Sequence, residues 1–229
     1  MKIESFLQPA WLAPDNVHSL ITLKAAQKIF SAPAILLPAL PIRIKQLHGT
    51  RVIRLPAAID ALLEGDAVIT TIPKQVCAIL TADCLPIFLS HKNGLEVGVI
   101  HAGWRGLAAG IISQVLAELT YNVADYSFWL GPCISEHAFE VGEDLPQEFL
   151  AAAWNAEIVQ QAFLAKTNSA GKFWGNLQLL AKHALLVGGA KSEQISSSDL
   201  CTFNDNELFH SYRRDKTLAR MQSLIWIRD

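Results

Sequence analysis

Three side chains in this 229-residue chain stand out by type and setting: His48 in KQLHGT, Cys84 in TADCLP and His101 in IHAGWRG. Each lies close to glycine or proline at the end of an apolar run, where a side chain can project into a cleft while its backbone stays anchored. Two imidazoles and one thiolate make a three-ligand set for a zinc ion whose fourth position is left to water or substrate. That is the pattern of catalytic rather than structural zinc. The separations, 36 and 17 residues, match no local zinc-binding signature, so convergence has to come from the fold. The same residues also read as a Cys–His dyad, with Cys84 as nucleophile, His101 as its base and Asp83 beside them. A third reading is structural, with His48 in a turn, His101 hydrogen-bonded in the interior and Cys84 packed in the core. His48 separates the first two, because a dyad has no use for a third ligand.

Two further segments carry charge. In GWRGLAAG, Arg105 and Gly106 fall at the expected start of a helix, where free N–H groups and the helix dipole favour an anion such as phosphate. In SYRRDKTLAR, Arg213, Arg214, Lys216 and Arg220 lie within eight residues, either on a solvated loop or facing a substrate. GPCISEHAF reads as a shaped loop, with Cys133 and His137 structural.

The elements that position these residues follow from pattern. Short β-branched and apolar runs predict strands over 51–55, 67–71, 76–81, 86–90, 96–101, 126–130 and 221–227, with Pro86 at a strand start or edge because it cannot donate to a ladder. Helical apolar spacing predicts a helix over 107–119, two helical pieces over 145–163 and a helix over 176–187 stopped by Gly188 and Gly189. The first 45 residues, with prolines at 9, 14, 33, 38 and 41, show no regular pattern. Strands and helices interleave without strict βαβ alternation, which favours an α+β fold with mixed sheets.

Composition narrows the function classes. The chain is 51% hydrophobic and 17% charged, as a globular domain is. Its net charge is −2 and no consecutive run of basic residues exceeds a pair such as Arg213-Arg214, so it lacks the footprint of a general nucleic-acid or anionic-membrane binder. No stretch reaches the ~18 consecutive apolar residues of a membrane span. Glu4 and Gln8 interrupt what would have to be a signal-peptide core, which makes a cytoplasmic location the expectation. Four scattered cysteines do not make a disulfide scaffold.

The strings KQLHG, GDAVIT, TADCLPIFL, HAGWRGLAAGII, LGPCISEHAFEVG and CTFNDNELFHSYRRDKTLARMQSLIWI occur in the order seen in YfiH-type proteins. Those proteins were once described as polyphenol oxidoreductase or laccase-domain proteins and later as purine nucleoside phosphorylases. The resemblance covers roughly residues 43–229. It implies a single-domain α/β/β/α sandwich with mixed sheets, like that grouped with the CNF-type cysteine hydrolases. It also implies one zinc held by His48, Cys84 and His101, and phosphorolysis of adenosine, inosine, guanosine and methylthioadenosine, with adenosine deaminase activity. The partners are then a small-molecule nucleoside and phosphate. Residues 1–42 depart from the family: SLITLKAAQKIFSAPAILL has neither its TR-x-GG-x-S loop nor its Asn-Leu pair and NR helix, so this segment reads as diverged or shortened.

On this reading Arg105 and Gly106 hold phosphate, Arg213 contacts substrate, and Asp83 orients a ligand histidine or moves a proton. Rival readings are a copper-dependent polyphenol oxidase, a Cys–His hydrolase or peptidoglycan-precursor editing factor, and a metal-stabilised binding module. Cysteine with two histidines does resemble a blue-copper set, and copper can replace zinc there. Against multicopper chemistry stand seven histidines without a His-x-His pair and only two methionines, Met1 and Met221.

Overall fold

The structure is a computed structural model that describes residues 5–28, 37–56, 63–167 and 169–228. Strands Val52–Leu55, Ala67–Thr70, Cys77–Thr81, Leu85–His91, Val97–Ala102, Tyr126–Leu130 and Met221–Ile227 form where the apolar runs place them. They belong to two mixed sheets. The six-stranded sheet runs Ile195–Ser197, Tyr126–Leu130, Leu85–His91, Val97–Ala102, Ala67–Thr70, Val52–Leu55. The five-stranded sheet runs Phe6–Leu7, Val17–Thr22, Met221–Ile227, Cys77–Thr81, Ile42–Arg43. A small third sheet joins Glu140–Gly142, Lys172–Gly175 and Phe163–Ala165.

Alternation along the strands builds the layers. Ala67, Ile69, Leu85, Ile87, Leu89, Ile100 and Ala102 pack against helices Ile111–Glu118 and Leu177–Val187. The residues between them, Val68, Phe88 and Val99, pack against Ile21, Cys77, Ile79 and Ile225 of the five-stranded sheet. The six-stranded sheet is therefore buried on both faces, which is why its strands read as unbroken apolar runs. Each fully buried Leu, Ile or Phe contributes about 1.5–3 kcal/mol, so this sheet is a stiff frame for whatever projects from its ends.

The outer face of the five-stranded sheet carries Leu20, Val76, Ala78, Leu224 and Trp226, packed with Phe6 and Leu37. Among the described residues no α-helix covers that face, so the layering found is helix, sheet, sheet, and the outer helical layer of the expected sandwich is not seen. The helix expected over 107–119 is two helices, Trp104–Ala109 and Ile111–Glu118, broken at Gly110, whose φ of 91° is left-handed. Apolar spacing runs on through that glycine and so hides the break. The supposedly irregular N-terminal stretch contributes Val17–Thr22, paired with Met221–Ile227, which lies inside the sheet rather than at its edge. His18 and Ser19 interrupt the alternation that would have revealed it. Pro86 is the second residue of a central strand, and its missing N–H is harmless because the ladder to Tyr126–Leu130 starts at Ile87. No described helix is long and apolar enough to cross a membrane.

Candidate metal centre

The chain leaves the five-stranded sheet at Thr81 and joins the six-stranded sheet at Leu85, so residues 82–84 span the junction of the two sheets. Cys84 ends this bridge. His101 is the penultimate residue of the neighbouring strand and pairs with Pro86, which brings it beside Cys84. His48 comes from a separate loop and takes a left-handed φ of 58°. Gln46 fastens that loop to the strand leading to Cys84: its Nε2 donates to the Leu80 carbonyl at 2.8 Å, and its Oε1 accepts from the Leu80 N–H at 2.7 Å.

Asp66 fastens the loop from the other side. Its Oδ1 accepts from the His48 N–H at 2.9 Å and from His101 Nδ1 at 2.8 Å, and its Oδ2 accepts from the N–H groups of Leu47 at 3.2 Å and Gly49 at 2.8 Å. The side chains of His101 and Asp66 are only 3% and 1% exposed, so the hydrogen bond is not shared with solvent and fixes the proton on Nδ1. Nε2 of His101 is left to face the site.

The result is a tight cluster. One potential ligand atom each from His48, Cys84 and His101 lies within 4.8 Å of the others, and Cys84 Sγ is 3.8 Å from His48 Nε2. A Cβ placed on Gly103 would fall 3.0 Å from His48 Cδ2, 3.1 Å from Cys84 Sγ and 3.7 Å from His101 Nε2, so the glycine keeps a side chain out of the space beside the donors. Donors bonded to zinc at ~2.0–2.3 Å in a tetrahedron sit roughly 3.3–3.8 Å apart, and one sulfur with two imidazole nitrogens suits that borderline-soft ion. The residues fit a single metal ion. Among the described residues this is the one such group of potential ligands.

Charge in the cluster is arranged by the same contacts. Burial alone would push the Cys84 thiol up, but the His101 and His48 imidazoles hold it down to about 6. Burial would likewise lower His101, and the Asp66 carboxylate and the Cys84 thiolate raise it instead to about 9. Asp66, which burial would raise, is kept below the usual carboxylate range by His101 and the N–H groups of Gly49 and Leu47. Without metal these contacts favour the thiolate form of Cys84 and the protonated form of His101. The ligands open on a cleft of about 650 Å³, also lined by Lys45, Gln46, Tyr212 and Arg220.

Residues 24–228 match a family model described as multi-copper polyphenol oxidoreductase laccase. The chain is 39% identical over 214 residues to purine nucleoside phosphorylase YfiH of Escherichia coli (strain K12), covering 93% of this chain and 82% of the relative. The chain belongs to the YfiH family. A purine nucleoside phosphorylase of Haemophilus influenzae is 41% identical over 190 residues, 83% of this chain and 75% of the relative. The crystal structure of Neisseria meningitidis protein NMB0706 superposes with a TM-score of 0.85 at 30% identity, covering 99% of this chain and all of that one. The family match begins at residue 24, upstream of the expected 43, and takes in every cluster residue.

Within this YfiH-family fold His48, Cys84 and His101 come together as their motifs suggested. Asp83 does not orient a ligand histidine; that position belongs to Asp66. The Asp83 carboxylate instead accepts from the Thr202 hydroxyl at 2.7 Å, the Ser211 hydroxyl at 3.0 Å and the Arg213 N–H at 2.6 Å, tying the C-terminal segment to the sheet junction. Arg105 is exposed, with its guanidinium 4.2 Å from the Trp104 ring centroid, and is not among the described residues that line the cleft. Gly106 serves packing: a Cβ there would meet the Gly49 carbonyl at 3.0 Å, so its absence lets the helix lie against the His48 loop. The Arg213 guanidinium donates to the Glu140 carbonyl at 2.7 Å and sits 5.5 Å from the Phe139 ring, again outside the described lining. Sequence reasoning missed Asp66, Gly103 and Gln46. The signal for Asp66 was a single charge heading the apolar run of GDAVIT.

Proposed function

We propose that the protein is a zinc-dependent purine nucleoside phosphorylase, acting on adenosine, inosine, guanosine and methylthioadenosine, with adenosine deaminase activity at the same site. The reading is carried by the convergence of His48, Cys84 and His101 on one space that opens to a 650 Å³ cleft, in a chain whose relatives are named purine nucleoside phosphorylases. A zinc ion held by the three supplies a Lewis acid next to the substrate. The chain does the rest. Asp66 holds the proton on His101 Nδ1, Gly103 keeps the space clear, and the cleft offers an aromatic ring at Tyr212 and cations at Lys45 and Arg220. In phosphorolysis a phosphate oxygen bonds to the anomeric carbon as the glycosidic bond breaks, and the proton of hydrogen phosphate ends on the departing purine.

Zinc-loaded protein incubated with inosine and inorganic phosphate is expected to yield hypoxanthine and ribose 1-phosphate, separated by liquid chromatography. Hypoxanthine no greater than that formed by His101→Ala ends the reading. Conversion of adenosine to inosine without phosphate tests the deaminase. The laccase description of the family favours a second reading, copper-dependent oxidation of phenols. Metal content of protein purified without added metal, with oxygen uptake on a phenol, separates the two.

A further inference from the structure

Phosphorolysis needs an anion beside the nucleoside, and the cations near the cleft differ in whether they are free to hold one. Arg214 is fully engaged: it donates to the carbonyls of Thr202, Phe203 and Phe209 and to both oxygens of Asp215. Arg213 is turned to Glu140 and Phe139. Lys45 lines the cleft but is half-exposed and paired with Glu64 at 2.8 Å.

Arg220 differs from all three. It lines the same cleft as the metal ligands. Its Nη1 donates to the Thr217 carbonyl at 2.8 Å and the Ala219 carbonyl at 2.9 Å, and its Cζ lies 5.6 Å from the Tyr212 ring centroid. These contacts fix the guanidinium plane through neutral partners, and no described carboxylate pairs with its charge. A guanidinium has five N–H donors; with the two on Nη1 used, the three on Nε and Nη2 remain as the fork that meets two oxygens of an oxyanion side-on. A phosphate that must reach the anomeric carbon has to lie in this cleft, where Arg220 is a fixed and uncompensated cation.

We infer that Arg220 is the residue that binds inorganic phosphate, an assignment that rests on the phosphorylase reading above. Replacing it removes a charge-assisted fork, so Arg220→Gln should raise the KM for phosphate roughly 10- to 100-fold, with a much smaller change in the KM for inosine at saturating phosphate. Arg220→Lys keeps the charge and a donor for the Thr217 and Ala219 carbonyls but not the fork, so its phosphate KM should fall between the two. Calorimetric titration of zinc-loaded protein with inorganic phosphate should show the same order, and thermal midpoints and bound zinc of both variants establish that they are folded. Phosphate KM and binding unchanged in Arg220→Gln, with wild-type protein active, overturn this assignment and leave the phosphorylase reading standing. Wild-type protein that neither binds phosphate nor releases hypoxanthine overturns both.

Discussion

His101 Nδ1 lies 2.8 Å from Asp66 Oδ1, and the same oxygen takes the backbone N–H of His48 at 2.9 Å. One buried carboxylate thus sets the tautomer of one ligand and the backbone position of another that is 53 residues away in the chain. A candidate metal site assembled from a loop, a bridge and a strand end owes its geometry to this group as much as to the three donor side chains themselves.

Asp66→Asn should therefore lower zinc affinity about 10- to 100-fold, as loss of a partner behind a ligand histidine typically does. The amide cannot accept at all four donors, since it presents N–H groups to part of the Leu47, His48 and Gly49 backbone. Competition with a chromogenic chelator measures the change. Wild-type affinity in this variant would deny Asp66 its positioning role.

Gly103→Ala tests the space itself. Its φ of −69° is ordinary, so alanine brings no backbone strain. Its Cβ arrives 3.1 Å from Cys84 Sγ and 3.0 Å from His48 Cδ2, and the exposed His48 ring must shift. Bound zinc is expected to weaken on the order of tenfold while the metal-free protein melts close to wild type.

The Cys84 thiolate should be visible directly. In metal-free protein, carbamidomethylation of Cys84 by iodoacetamide is expected to follow a midpoint near pH 6, against 9.0 for an unperturbed thiol. Cys77 and Cys133, whose thiols burial pushes up, should not react, and zinc should protect Cys84. The depressed thiol adds stability that is complete above 9.0 and fades as the pH falls through about 6. The raised imidazole adds stability that is complete below 6.5 and fades as the pH rises through about 9. Between 6.5 and 9.0 the two slopes cancel, because folding passes a proton from thiol to imidazole without net uptake. This pair should leave denaturant stability of the metal-free protein flat across that window, and removing it by Cys84→Ser should restore a slope.

Asp83→Asn separates the two aspartates. Loss of good acceptors for Thr202, Ser211 and Arg213 should destabilise the protein by about 1–3 kcal/mol. Zinc affinity should stay at the wild-type value, because neither histidine touches this carboxylate. A fall in affinity matching that of Asp66→Asn would show that the junction at residues 82–84 also sets the ligand geometry.

The strands were legible because burial on both faces leaves unbroken apolar runs, and the three candidate donors because His48, Cys84 and His101 stand in motifs that resemble one family. A strand-end position alone does not mark them, since His91 and Cys77 also sit at strand ends outside the cluster. The break at Gly110 was not legible, since the apolar spacing of Leu107, Ile111, Ile112 and Val115 continues across it. Val17–Thr22 was hidden by His18 and Ser19, and its place beside Met221–Ile227 depends on a partner some 200 residues away.

The sequence by itself determined the candidate donor residues, the mixed α+β class and the family, all of which reside in local motifs and two-residue alternation. The tertiary structure alone decided which carboxylate serves the site. Asp83 is adjacent to Cys84 in the chain, yet its left-handed φ of 86° and its hydrogen bonds direct it to the C-terminal segment. Asp66, distant in sequence from all three ligands, faces His101 because strands Ala67–Thr70 and Val97–Ala102 pair with Ala67 opposite Ile100. Alternation within a strand says which side chains face a core, but not which strand lies beside it, and the pairing that sets Asp66 opposite His101 is fixed only when both faces find their cores.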